Sequence, residues 1–141
     1  MAARLLLAGS MNAKARALQT RTSAFLNDVI RFVESLPETR ITKRIVPQLL
    51  DAAGSTDSNY RSACRARSHR EFIAKLGVAA EEADESKGWL EALTAANLGA
   101  HEQAAHLIDE ADQLTAIFVA SLKTATRNAE KPKPTLPRSR R

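Results

Sequence analysis

Several residue groups in the 141-residue chain have side chains of catalytic or ligand-binding type. His101, Glu102 and His106 resemble the zinc-protease pattern, which places two histidines at i and i+4 with a glutamate as base. Here the histidines are five apart, which turns them away from each other around a helix, and the zinc pattern is not met. Glu81, Glu82, Asp84 and Glu85 form an acidic cluster. Di-iron sites in helical bundles combine such glutamates with Glu-x-x-His, a tetrad the sequence lacks. The cluster is expected to be a solvated face or a set of salt-bridge partners for Arg61, Arg65 or neighbouring helices. Cys64 and His69 are nucleophile and base types, but they sit five apart at a boundary between two helices. A single cysteine excludes an internal disulfide and a multi-cysteine zinc site. No Ser/His/Asp signature and no phosphate-cradling glycine loop is present. No enzyme, metal site or cofactor is therefore expected.

Arg61, Arg65, Arg67, Arg70 and Lys75 form the densest basic run outside the C-terminal tail. Arginine suits phosphate because its planar fork donates two parallel hydrogen bonds. The run can hold nucleic acid, bridge subunits, or simply be solvated. Asn59 and Tyr60, beside Arg61, are unusual in a helical interior. They are expected to form a hydrogen-bonded network that fixes packing, or a polar patch near a subunit contact. Glu82 and Glu85 are candidates for the same interface, and Trp89 for a packing residue at the bundle edge or a partner anchor.

These residues need elements to position them. Hydrophobic content is 44%, much of it alanine; aromatics are 4%, and Gly and Pro number five each. That profile is helical. No apolar run approaches the roughly 20 residues of a membrane span, and a cytoplasmic location is expected. Leu18, Thr22, Phe25, Val29, Phe32 and Leu36 recur at spacings of four and three, the stripe of a first helix ended by Pro37. A second helix runs from about Thr42 to Arg65, capped by Thr39 or Thr42, with Pro47 costly unless near its start. A break at "GSTDS", residues 54–58, is the alternative. Ser68-x-x-Glu71 is a capping box for a third helix with the stripe Phe72, Leu76, Ala79, Ala83, Ser86, Leu90 and Leu93. Asn97-Leu98-Gly99 reads as its stop. Leu107, Ala111, Leu114, Phe118 and Ser121 mark the fourth. The pattern predicts an all-α, antiparallel up-down-up-down four-helix bundle over residues 16–128. Residues 1–15 are expected to be a flexible segment and residues 129–141 a disordered, basic, proline-rich tail.

Charge is segmented. Residues 1–75 carry 13 basic and 6 acidic side chains; residues 76–122 carry 1 and 9; residues 123–141 carry 7 and 1. Complementary surfaces, within the bundle or between copies, follow from that segmentation.

The stretches "RFVESLP", "QLLDAAGSTDSNYRSACRARSHREFIAKLGVAAEEADESKGWLEAL" and "LIDEADQLTAIFVASLKTATRN" resemble the bacterial four-helix-bundle proteins of the 23S rRNA intervening-sequence (S23-like) family. The accessory protein of diversity-generating retroelements is a relative of that family. Ser58 to Arg61, Arg65 to Ser68, Phe72-x-x-Lys75-Leu76, Glu82 to Glu85 and Trp89-Leu90 carry the resemblance. It implies a homo-oligomer in the form of a pentameric ring, with no established catalytic role. Through the retroelement relative, it implies binding of RNA or DNA and of a reverse transcriptase. Pro47 departs from the family pattern. The function expected is a non-enzymatic oligomeric adaptor for nucleic acid or a nucleic-acid enzyme. The competing expectation is a protein–protein scaffold that binds no nucleic acid.

Overall fold

The computed structural model describes residues 2–132, with the side chains of residues 2–12 excepted. It is an all-α up-down-up-down bundle of four helices: α1 (Ala2–Glu34), α2 (Arg40–Cys64), α3 (His69–Ala95) and α4 (His101–Glu130). Each helix packs on its chain neighbours, and α1 closes the ring against α4. The predicted stripes are the core. Thr22, Phe25, Val29 and Phe32 of α1 are buried, as are Leu76, Ala79, Ala83, Ser86, Leu90 and Leu93 of α3 and Leu107, Ala111, Leu114 and Phe118 of α4. Each fully buried large side chain contributes roughly 1.5–3 kcal/mol. No helix among the described residues is long and apolar enough to cross a membrane.

The helix ends refine the sequence expectations. Thr39 caps α2: its Oγ1 accepts from the Thr42 amide at 3.1 Å, and the Thr42 Oγ1 accepts from the Thr39 amide at 2.8 Å. The helix passes unbroken through Gly54–Ser58, because Ala52, Ala53, Thr56 and Tyr60 bury its inner face and tertiary burial outweighs weak propensity. Pro47 lies inside the helix, where it removes the amide that would bond the Lys43 carbonyl. Both residues lie on the exposed side of the helix, away from the core.

Ser68 caps α3 and accepts from the Glu71 amide at 3.0 Å. The return half of the expected capping box is displaced by one residue: the Glu71 carboxylate accepts from the Arg67 amide at 3.1 Å. The stop of α3 falls in the expected Asn97-Leu98-Gly99 stretch. Asn97, at φ 56°, is the left-handed residue that ends the helix. The Leu98 amide donates to the Leu93 carbonyl and the Asn97 amide to that of Thr94, both at 3.0 Å, a Schellman arrangement. Gly99, at φ 89°, is a second left-handed residue. A Cβ there would meet Leu36 and Phe32 at 2.7 Å, so glycine is what lets the α3–α4 turn close over α1.

Helical backbone reaches back to Ala2, into the segment expected to be flexible. Alanine, leucine, arginine and methionine dominate that stretch and are strong helix formers. At the other end α4 runs to Glu130, and the remainder of the tail, residues 133–141, lies outside the described residues.

Candidate nucleic-acid interface

The bundle alternates direction, so the start of α3 and the ends of α2 and α4 share one end with the N-terminal half of α1. His69 marks the junction: its Nε2 lies 2.7 Å from the Ala125 carbonyl, and its ring stacks on Phe72 with centroids 6.3 Å apart. The basic residues of the α2–α3 turn therefore meet those of α1 and α4, which are distant in sequence.

They do not all have the same surroundings. Arg61 is tied into the body. Its Nε donates to Asp57 Oδ2 at 3.1 Å and its Nη2 to Ser23 Oγ at 2.6 Å. Asp57 is buried on the inner side of α2, and its Oδ1 accepts from Thr22 and Ser23 of α1 at 2.8 and 3.0 Å. A buried carboxylate needs such partners, so this group pins α1 to α2. The Arg61 partner is thus its own helix rather than the acidic cluster of α3. Arg21 does the same between α1 and α4. It meets Glu110 through two parallel bonds of 3.0 Å, and its pKa is raised chiefly by that hydrogen-bonded pair. Lys87 links α3 to Asp112 of α4 at 3.0 Å, and that hydrogen bond raises its pKa.

Arg65, Arg67 and Arg70 are exposed, and among the described residues none of them reaches a carboxylate within salt-bridge distance. Arg65 joins Lys14 and Arg16 on the rim of an open groove of about 950 Å³. Leu18, Tyr60, Ala63, Phe72 and Ile117, one or more from every helix, form its apolar floor. No acidic residue lines it among those described. Arg16 and Arg61 also flank a shallower depression along α1. Arg70 borders a separate groove with His69, Ile73 and Lys131. Lys75 is half-buried and lines neither of these grooves.

The polar candidates are placed as follows. Tyr60 is buried and stacks on Phe118 with centroids 5.4 Å apart. Burial, and then hydrogen bonding with the Cys64 thiol, pushes its phenol well above the usual range. Asn59 donates to the Ser55 carbonyl of its own helix at 2.9 Å and spans no interior network. The interior network exists, but Asp57, Thr22 and Ser23 build it with Arg61. Trp89 packs against the core and donates from Nε1 to Glu85 at 3.2 Å. Glu82 is half-buried and forms no ion pair among the described residues. Burial raises its pKa most, followed by the negative charges of Glu85 and Glu81, a hydrogen bond with Glu85, and Asp51 on α2. The expected arginine partners of the acidic cluster are absent among the described ion pairs.

Lys14 escaped the sequence reading because it falls in the segment set aside as flexible, and Arg16, the first residue of the expected bundle, because it stands apart in sequence from the basic run that begins at Arg61. The signal available was continuity: no helix breaker separates Lys14 from the stripe that begins at Leu18. Asp57 carried a signal too. It lies four residues after Ala53, on the buried side of α2, where a charge demands partners.

Among the described residues no three His, Cys, Asp or Glu side chains converge on a point where a metal ion could sit. No curated protein matches the chain. One solved structure that does is the 1.70 Å crystal structure of a protein with unknown function from the S23 ribosomal protein family of Bacteroides thetaiotaomicron VPI-5482. It superposes with a TM-score of 0.69 at 23% identity, over 78% of this chain and 98% of that one. At that identity the likeness establishes the fold alone. The family model described as 23S rRNA-intervening sequence protein matches residues 17–120, from the middle of α1 into α4. The chain belongs to the 23S rRNA-intervening sequence protein family.

Proposed function

We propose that the protein is a non-enzymatic, oligomeric adaptor that holds RNA or DNA by its phosphate backbone at the basic end of the bundle. The observation that carries this is the division among the arginines. Arg21 and Arg61 are consumed by interhelical bonds, whereas Arg65, Arg67 and Arg70 stand exposed without a carboxylate partner. Exposed, unpaired guanidinium groups are what phosphate recognition uses. Assembly is part of the proposal. Among the described residues Glu81, Glu82, Glu85 and Asp51 form no ion pair, which supports contact of this acidic face with a second copy. The resemblance drawn from the sequence supports a pentamer, and a ring would make several weak phosphate sites act together. It also supports a nucleic-acid enzyme such as a reverse transcriptase as the protein partner.

The test is binding of fluorescent RNA and DNA to the full chain as salt is raised, with oligomer mass from light scattering. Affinity should fall steeply with salt as counterions are released, and the mass should exceed that of one chain. Failure to bind at low salt would leave the protein a scaffold. A monomer mass would remove the cooperative part of the reading.

A further inference from the structure

We propose that the groove between Arg16 and Arg65 receives an unpaired nucleobase, so that the protein prefers single-stranded nucleic acid to duplex. This rests on the phosphate-binding reading above and adds to it what the phosphates alone leave unexplained, the apolar floor.

Leu18, Phe72 and Ile117 are half-buried and, over buried Ala63, line a concave apolar surface beside Lys14, Arg16 and Arg65. Its volume, about 950 Å³, lies within the roughly 300–1,000 Å³ of sites that take small organic groups. A polyanion bound by the rim satisfies Lys14, Arg16 and Arg65 but leaves that floor wet. A duplex keeps its bases stacked inside and presents phosphates, so it meets the rim and stops there. A single strand has flexible sugar-phosphate links and bases that can be splayed outward. It can lay phosphates on the rim while a base turns in over the floor. Phe72 supplies the aromatic surface. It is half-buried, held by the stack with His69, and lines the groove. Tyr60 is committed to Phe118 and forms the wall below. Stacking on an aromatic side chain is sequence-tolerant because every base has a π-face. Charge selects the occupant. With no acidic residue among the groove's described lining, nothing repels a phosphate there.

Cys64 gives the measurement. It is exposed and lines the same groove, so its alkylation rate reports whether the groove is filled. The full-length protein is mixed with an oligothymidylate, or with a duplex of equal length, and Cys64 labelling is followed alongside binding. The single strand should bind about tenfold tighter than the duplex and should alone slow Cys64 labelling. Phe72→Leu keeps an apolar side chain while removing the ring. It should abolish most of that preference, with duplex affinity and helicity unchanged. If both nucleic acids bind equally and Cys64 stays reactive, the base-in-groove inference is wrong and phosphate binding stands. If neither binds, the phosphate reading fails and this inference with it. If labelling slows with protein concentration alone, a second copy of the chain covers the groove, which also overturns the inference.

Discussion

The two ends of the bundle solve opposite problems. At the α3–α4 turn the chain is closed as tightly as it can be: Asn97 and Gly99 adopt left-handed backbone, and Phe32 and Leu36 fill the space a Cβ would take. At the α2–α3 turn all four helices line an open groove, and among the described residues none of Arg65, Arg67 and Arg70 forms an ion pair. Arg61, one turn before Arg65 on the same helix, belongs to the closed part through Asp57. Charge density along the sequence therefore does not decide what a cation does. Its distance from the interhelical seam does.

Changes at the closed end should cost most. Gly99→Ala forces a side chain into a left-handed residue and against buried Phe32 and half-buried Leu36, and should destabilise the fold by about 2–4 kcal/mol in denaturant melts. A loss under about 0.5 kcal/mol, within the range of ordinary surface changes, would mean the turn is loose. Asp57→Ala tests the seam between the two ends. It strands Arg61 and buried Thr22, and should cost about 1–3 kcal/mol. An unchanged melting midpoint would show that α1 is held without this group. Gly77→Ala should act in the other direction. A Cβ at Gly77 would touch nothing within 4 Å, so alanine should stabilise α3 by roughly 0.4–1 kcal/mol through its better helix propensity. If it destabilises or breaks the oligomer, another chain packs against that face.

The acidic face gives a smaller, pH-dependent effect. The Glu82 carboxyl is raised by burial first, then by Glu85, Glu81 and Asp51. A carboxyl raised on folding binds its proton more tightly in the folded chain than in the unfolded one. Its contribution is therefore most favourable below the unfolded pKa and is lost as pH rises through the folded pKa. Stability should decline over that interval, from the ordinary glutamate range upward, and Glu82→Gln should flatten the decline. A variant with the same pH profile as the parent would place Glu82 in a better-solvated setting.

Most of the fold was legible because heptad-like stripes report one physical fact, burial on a helix. Thr22, Phe25, Val29 and Phe32 share the buried side of α1, and Ser86 takes its place in the α3 stripe as the spacing required. The site was less legible, because it depends on which side chains find partners across helices. Arg61 and Arg65 look alike in sequence and differ through Asp57, Thr22 and Ser23, two of which lie on another helix. Local hydrogen-bond geometry was equally hidden. The Glu71 carboxylate bonds Arg67 rather than Ser68, and within Asn97-Leu98-Gly99 it is Asn97 that takes the left-handed backbone ending α3. Lys14 and Arg16 entered the site because helix α1 continues past its stripe.

The central claim is that unpaired arginines at the open end bind phosphate while the paired one builds the fold. It is tested most directly by comparing Arg65→Ala/Arg67→Ala/Arg70→Ala with Arg61→Ala in one set of salt titrations and thermal melts. The triple variant should melt within about 0.5 kcal/mol of the parent. It should bind RNA and DNA more weakly, with a salt slope lower by about two to three for each binding protomer. Arg61→Ala should lose stability and keep the slope. Equal slopes in the two variants, or loss of assembly in the triple variant with binding intact, would contradict the division of roles.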